Sequence, residues 1–394
     1  MLSFADTPWQ IISAIIAFIS GLILAHVQKR IFRVPVALSM SMYIWHTFFC
    51  IFYMLYSFNN TADATSYYIH SKVYQGFSFT GTDFIYFLTS IFSNTMSMSY
   101  GGTFLVYNIF GFIGMVSLSS AFLEVTNGAK RGVIIFLLAA LFLPGLSFWS
   151  SAIGKDALTF MGAGLACWAV LNLGRRYPAM AFAFLVILVA RPHIAGILAA
   201  SLGLTLVLFL RTGIMAKFFT LALTAPLALG AVIFGLDYAG VGDPTSLESI
   251  SERIAVQQGH NLEGGSSVSI TDMSVPMRLV TYMFRPMLLD ASGALGLVAS
   301  FENLALLSIF LIAVFGALGN TSSLSRFHIF FFLTFSIITW TILANTTANS
   351  GIAIRQKWMF VPMMLTLALS VMGRPRISAR AAWPIPTNEA SRSC

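Results

Sequence analysis

Charge is the scarcest thing in this sequence. Lys, Arg, Asp and Glu together make up 9% of its 394 residues, against roughly a quarter in an average soluble domain, and 57% of the chain is hydrophobic. A soluble domain of that composition lacks the polar surface it needs, and a disordered chain does not carry so many apolar residues. Cysteine is nearly absent too. Cys50, Cys167 and Cys394 stand far apart with no CxxC or Cys/His spacing, which excludes a disulfide framework and a structural zinc site. There is no Walker loop, dinucleotide fingerprint, HExxH or recognisable Ser-His-Asp spacing, so an ATPase, a dinucleotide enzyme and a zinc protease are disfavoured. The short alternating strands of a membrane β-barrel are missing, as are internal repeats and heptads. The first apolar segment has neither a basic leader nor a small-residue cleavage site, and reads as a retained span.

What the chain does have is long apolar runs. Each needs about 20 residues to cross about 30 Å of hydrocarbon, and the pattern predicts an all-α, polytopic membrane protein with about eleven transmembrane helices. They are expected near 9–27, 35–57, 102–124, 132–148, 157–173, 178–190, 194–210, 218–236, 296–318, 328–344 and 357–372. Residues 1–372 form one membrane domain, with large outer loops at 58–101 and 237–295, and residues 373–394 are a polar, disordered cytoplasmic tail. In the first outer loop, the stretch from Asp83 to Phe92 is spaced for a short interfacial helix.

Orientation follows from the basic residues. With the N-terminus outside, Lys29, Arg30, Arg33, Lys130, Arg131, Arg175, Arg176, Arg211, Lys217, Arg326, Arg374, Arg376, Arg380 and Arg392 all fall on the cytoplasmic side, as the positive-inside rule requires. The net charge of +8 therefore reports topology, and no basic-aromatic interleaving points to nucleic acid. The remaining cations, Lys72, Lys155, Arg191, Arg253, Arg278, Arg285, Arg355 and Lys357, lie where that rule expects few, and this points to an anion-binding outer face.

Four stretches carry these cations, each with a bland reading beside the functional one. In "FWSSAIGKDALTF", Lys155 and Asp156 either mark a connecting loop or form an anion site at a helix start, where free N–H groups and a cation face the same way. In "LVILVARPHIAGILA", Arg191, Pro192 and His193 interrupt an apolar run; the break is a simple outer turn or lines a cavity at depth, and His193 is a structural histidine or a proton-transfer group. Arg278 and Arg285 are seven apart, on nearly one helix face, either bridged internally with Asp290 and Glu302 or forming a phosphate clamp. Arg355 and Lys357 are snorkelling anchors or part of the same anion cavity. Asp63, with Tyr67 and Tyr68 close behind, is a solvated loop acid or a base with sugar-stacking rings beside it.

Together "FWSSAIGKDAL", "ARPHIA", "FRPMLLDASGALGLVASFENL" and "SGIAIRQKWMFVP" resemble segments of the Wzy and EpsG type of bacterial oligosaccharide-repeat polymerase, over roughly residues 40 to 370. The resemblance implies a GT-C-like fold in the bacterial inner membrane and an extracytoplasmic site. It also implies a polyprenyl-diphosphate-linked oligosaccharide as substrate, without nucleotide sugar or other cofactor. Carried over, it makes Asp63 the catalytic carboxylate, with His193 or Glu302 as substitutes. Lys155, Asp156, Arg191, Arg278, Arg285, Arg355, Lys357 and Tyr67 then bind substrate. The chain departs from the family at Met287, Leu288, Leu289 and Asp290, where a proline, an aromatic residue and an acid are usual, which weakens any role for Asp290. No Asp-x-Asp pair is visible in an outer loop, so no metal is invoked. Expected partners are the lipid bilayer and other polysaccharide synthesis and export proteins. The rival expectation is a transporter or flippase for the same lipid-linked anion; a weaker third is a noncatalytic scaffold.

Overall fold

In a computed structural model of the protein, the described residues are 3–127, 139–209, 213–238, 273–291, 293–319 and 322–371, with 129, 132 and 136. Most of the expected outer loop 237–295, with Arg253, and the tail 373–394 lie outside them. The elements are α1 (Pro8–Val27), α2 (Val36–Asn59), α3 (Asp63–Val73), α4 (Gly81–Ser90), α5 (Tyr100–Val125), α6 (Pro144–Ser150), α7 (Lys155–Val170) and α8 (Leu173–Ala190). After these come α9 (Pro192–Phe209), α10 (Ile214–Tyr238), α11 (Val275–Phe284), α12 (Gly293–Gly319), α13 (Arg326–Thr346), α14 (Ser350–Gln356) and α15 (Val361–Ser370). No strand element occurs among the described residues.

The chain is an all-helical, multi-pass membrane protein. Seven described helices are long and apolar enough to cross a membrane, or eight if the bent pair Ser350–Met359 and Val361–Ser370 counts as one span. Among the described residues the count is below the expected eleven: α7 has 16 residues, the pair at 350–370 is bent, and the runs expected at 132–148 and 218–236 are only partly described. Rows of large apolar side chains on the outside of α1, among them Ile12, Ile16 and Ile23, are about half exposed. Lipid is the solvent that makes such a face stable.

Helix α5 sits at the centre, buried around most of its circumference. Small residues let its neighbours reach it. A Cβ on Gly164 would lie 2.3 Å from the Gly114 carbonyl oxygen, so α5 and α7 touch backbone to backbone, the packing that membrane interiors favour. Gly111 does the same for the turn after α6, where a Cβ would stand 2.0 Å from the Ser150 carbonyl oxygen. Between α2 and α5, α3 and α4 pack against each other, and Ser71 and Ser93 share a 2.6 Å hydrogen bond.

Two breaks in the helices carry cations. Pro192 opens α9 and disfavours helical backbone for the residue before it, so Arg191 takes φ −146° and ends α8. Between α14 and α15 the chain bends by 59°, leaving Lys357 buried at the bend.

Candidate functional site: a charge cluster where helix ends meet

The turn from Ser151 to Gly154 delivers Lys155 and Asp156 as the first two residues of α7. Gly154 makes that possible. Its φ of +151° with ψ −171° is a region only glycine occupies without strain, and a Cβ there would meet the Tyr67 ring at 3.0 Å. No side chain caps this helix start.

Asp156 holds two guanidinium groups at once. Its Oδ1 accepts from Arg191 Nη2 at 2.7 Å, and its Oδ2 lies 3.0 Å from Arg355 Nε. Arg355 Nη1 in turn donates to Asp63 Oδ2 at 2.5 Å. The chain Arg191–Asp156–Arg355–Asp63 thus ties the end of α8, the start of α7, α14 and the start of α3 into one knot. Coulomb attraction is strong here because most of these groups are withdrawn from water: side-chain exposure is 10% for Arg191, 17% for Asp156 and 22% for Arg355, but 54% for Asp63. Arg191 Nε is buried with no acceptor. Lys155 lines the same small cavity, so among the described residues the cluster brings Arg191, Arg355 and Lys155 together with Asp63 and Asp156. Tyr67 closes one side; burial first, then the nearby carboxylates Asp63 and Asp156, push its phenol well above the ordinary range.

Of the predicted site residues, Asp63, Tyr67, Lys155, Asp156, Arg191 and Arg355 come together. His193 is half-buried beside them, near enough to Arg191 and Lys155 to feel both charges. The rest lie elsewhere. Arg278 and Arg285 do not share a helix face, because α11 ends at Phe284 and Arg285 turns extended before Pro286. Arg278 donates to Asn345 Oδ1 and the Met273 carbonyl, and Arg285 pairs with Asp290 at 2.8 Å. Lys357, the reverse of a snorkelling anchor, is buried and donates to Asn303 Oδ1. Glu302 is buried nearby; its Oε1 accepts from the Gly145 N–H at 3.1 Å, and its Oε2 has no hydrogen-bond partner among the described residues.

Sequence reasoning passed over three groups that hold the site in place. His46 in α2 bridges Asn108 in α5 (2.5 Å) and Ser150 at the end of α6 (2.9 Å). The Ser150 hydroxyl also donates to the Leu146 carbonyl at 2.6 Å, which anchors the bridge to the first turn of α6. This buried bridge fixes the turn that leads to Lys155. A lone His and a lone Asn in apolar spans were the only signal of it. Trp149 and Tyr53 also line the cluster's cavity.

That cavity has a volume of about 20 Å³, room for about one water. A second cavity of about 640 Å³ shares Trp149 in its lining. Ile354 of α14 faces the larger and its neighbour Arg355 the smaller. Comparisons with protein-family models, curated proteins and solved structures find no match to this chain.

Proposed function

We propose that the protein is a membrane glycosyltransferase that joins polyprenyl-diphosphate-linked oligosaccharides on the outer face of the bacterial cytoplasmic membrane. In this reading the fold is GT-C-like with eleven crossings in all, the N-terminus outside and the tail in the cytoplasm. The carrying observation is the knot of Arg191, Asp156, Arg355 and Asp63, with Lys155 beside it and the Arg191 Nε unspent. Buried cations at the ends of membrane helices are costly unless an anion completes them.

Each member of the cluster has a role in the transfer. A diphosphate enters by drawing Arg355 away from the half-exposed Asp63. Arg191, Arg355 and Lys155 then stabilise the charge that grows on the diphosphate as the bond from sugar carbon to phosphate oxygen breaks and its electron pair leaves with the diphosphate. The acceptor hydroxyl oxygen forms the new bond to that carbon, and its proton passes to the released Asp63 carboxylate. Purified protein incubated with lipid-linked oligosaccharide is expected to yield longer lipid-linked chains and free lipid diphosphate. Binding without product, under conditions where a known polymerase works, favours transport of the same lipid instead.

A further inference from the structure

The larger cavity is chemically unlike the charge cluster it adjoins. Tyr56, Phe148 and Trp149 form one wall, with the Phe148 and Trp149 rings perpendicular at 4.9 Å and Tyr56 6.0 Å from Phe148. Among the described residues its charged lining is Arg285, Asp290 and Glu302; Arg285 is paired with Asp290, and the buried Lys357 behind the lining lies near enough to Glu302 to feel its charge. An anionic head group gains nothing there. Carboxylates accept hydrogen bonds from hydroxyl groups, and aromatic faces cover the apolar faces of sugar rings while excluding water. The volume of about 640 Å³ is that of a pocket for a small-molecule-sized ligand, mostly apolar with a few convergent polar groups. Glu302 adds an independent sign: a carboxylate 2% exposed in this lining, held by the Gly145 and Leu146 amides and near Lys357, with an Oε2 that has no hydrogen-bond partner among the described residues.

We infer that this cavity binds an uncharged, hydroxyl-rich glycan, stacked on Trp149 and Tyr56 and hydrogen-bonded by Glu302 and Asp290. Calling it the acceptor site rests on the transferase reading; the glycan binding does not. Trp149 then belongs to both substrate sites. One site is cationic and the other acid-edged, so two lipid-linked glycans are sorted by the part of each that the site contacts.

The test uses the full chain in lipid nanodiscs and three probes: the neutral oligosaccharide released by mild acid from the lipid-linked glycans of the cells that make the protein, inorganic diphosphate, and farnesol. Saturation-transfer NMR reports glycan binding. Trp149→Ala is expected to weaken the glycan about three- to tenfold. Leu295→Trp, a substitution at an exposed lining residue that narrows the cavity without touching a buried group, is expected to weaken glycan binding and leave diphosphate binding intact. Arg355→Ala is expected to do the reverse. A glycan signal that is absent, or unchanged in both cavity variants, overturns the inference, as does farnesol displacing the glycan at this cavity, which would make it a chain site. Diphosphate failing to bind while the glycan binds sinks the charge-cluster reading and leaves this one standing.

Discussion

Replacing Asp156 by Asn removes the one carboxylate that serves two guanidinium groups. Arg191 and Arg355 are mostly withdrawn from solvent, and both lose their counter-charge. Breaking a buried pair from one side costs about 3–5 kcal/mol, because the charge left behind is uncompensated. Asp63→Asn removes a carboxylate that is 54% exposed and touches only Arg355, and its cost is that of a surface pair, about 0.2–1 kcal/mol. The two conservative substitutions should therefore differ several-fold in unfolding free energy. Reversible unfolding in mixed micelles of a mild detergent and dodecyl sulfate measures both. Pairing Asp156→Asn with Arg191→Met should recover part of the loss, since the orphaned cation goes too, with a coupling of about 0.5–3 kcal/mol. Equal costs for the two single variants, or strict additivity in the double, would refute the claim that Asp156 is the hub of the knot.

Gly154→Ala should destabilise by about 1–3 kcal/mol and displace Tyr67, because the turn needs a backbone that alanine avoids; the same micelle unfolding measures it. Arg355→Lys should weaken diphosphate binding about tenfold, since an ammonium cannot span Asp63 and Asp156 as the planar fork does; titration calorimetry reads the change. Arg285 donates to the Asp290 carboxyl and holds it below its ordinary value of 3.8. A depressed acid contributes stability above its unfolded value and loses it as pH falls through the folded one, so the carboxyl NMR titration of Asp290 should have its midpoint below that ordinary value, and Arg285→Gln should raise it.

Much of this was legible in the sequence, for a physical reason. Where charges are rare, each one in an apolar run is conspicuous, so Lys155, Asp156, Arg191 and Arg355 stood out from residue type alone. Which of them meet was not legible, because the pairing is long-range: Asp63 and Arg355 are 292 positions apart and are joined only by the fold. The helix-face argument for Arg278 and Arg285 failed on Pro286, which turns the preceding residue out of the helix. The His46–Asn108–Ser150 bridge escaped because single polar residues in a span look merely tolerated until three helices bring them within hydrogen-bond reach. Trp149 escaped for the opposite reason, as one aromatic residue among many. Hydropathy runs also overstate spans: they mark apolar length, and α7 shows that such a run need not become one full-length helix.

The most direct test of the central claim tracks product. Purified wild-type protein and Arg355→Ala, both shown to be folded, are incubated with lipid-linked oligosaccharide and the chains are sized. The account predicts a ladder of longer lipid-linked glycans with stoichiometric release of lipid diphosphate from the wild type, and neither from the variant. An undiminished ladder from Arg355→Ala, or tight binding by the wild type with no ladder at all, would contradict it.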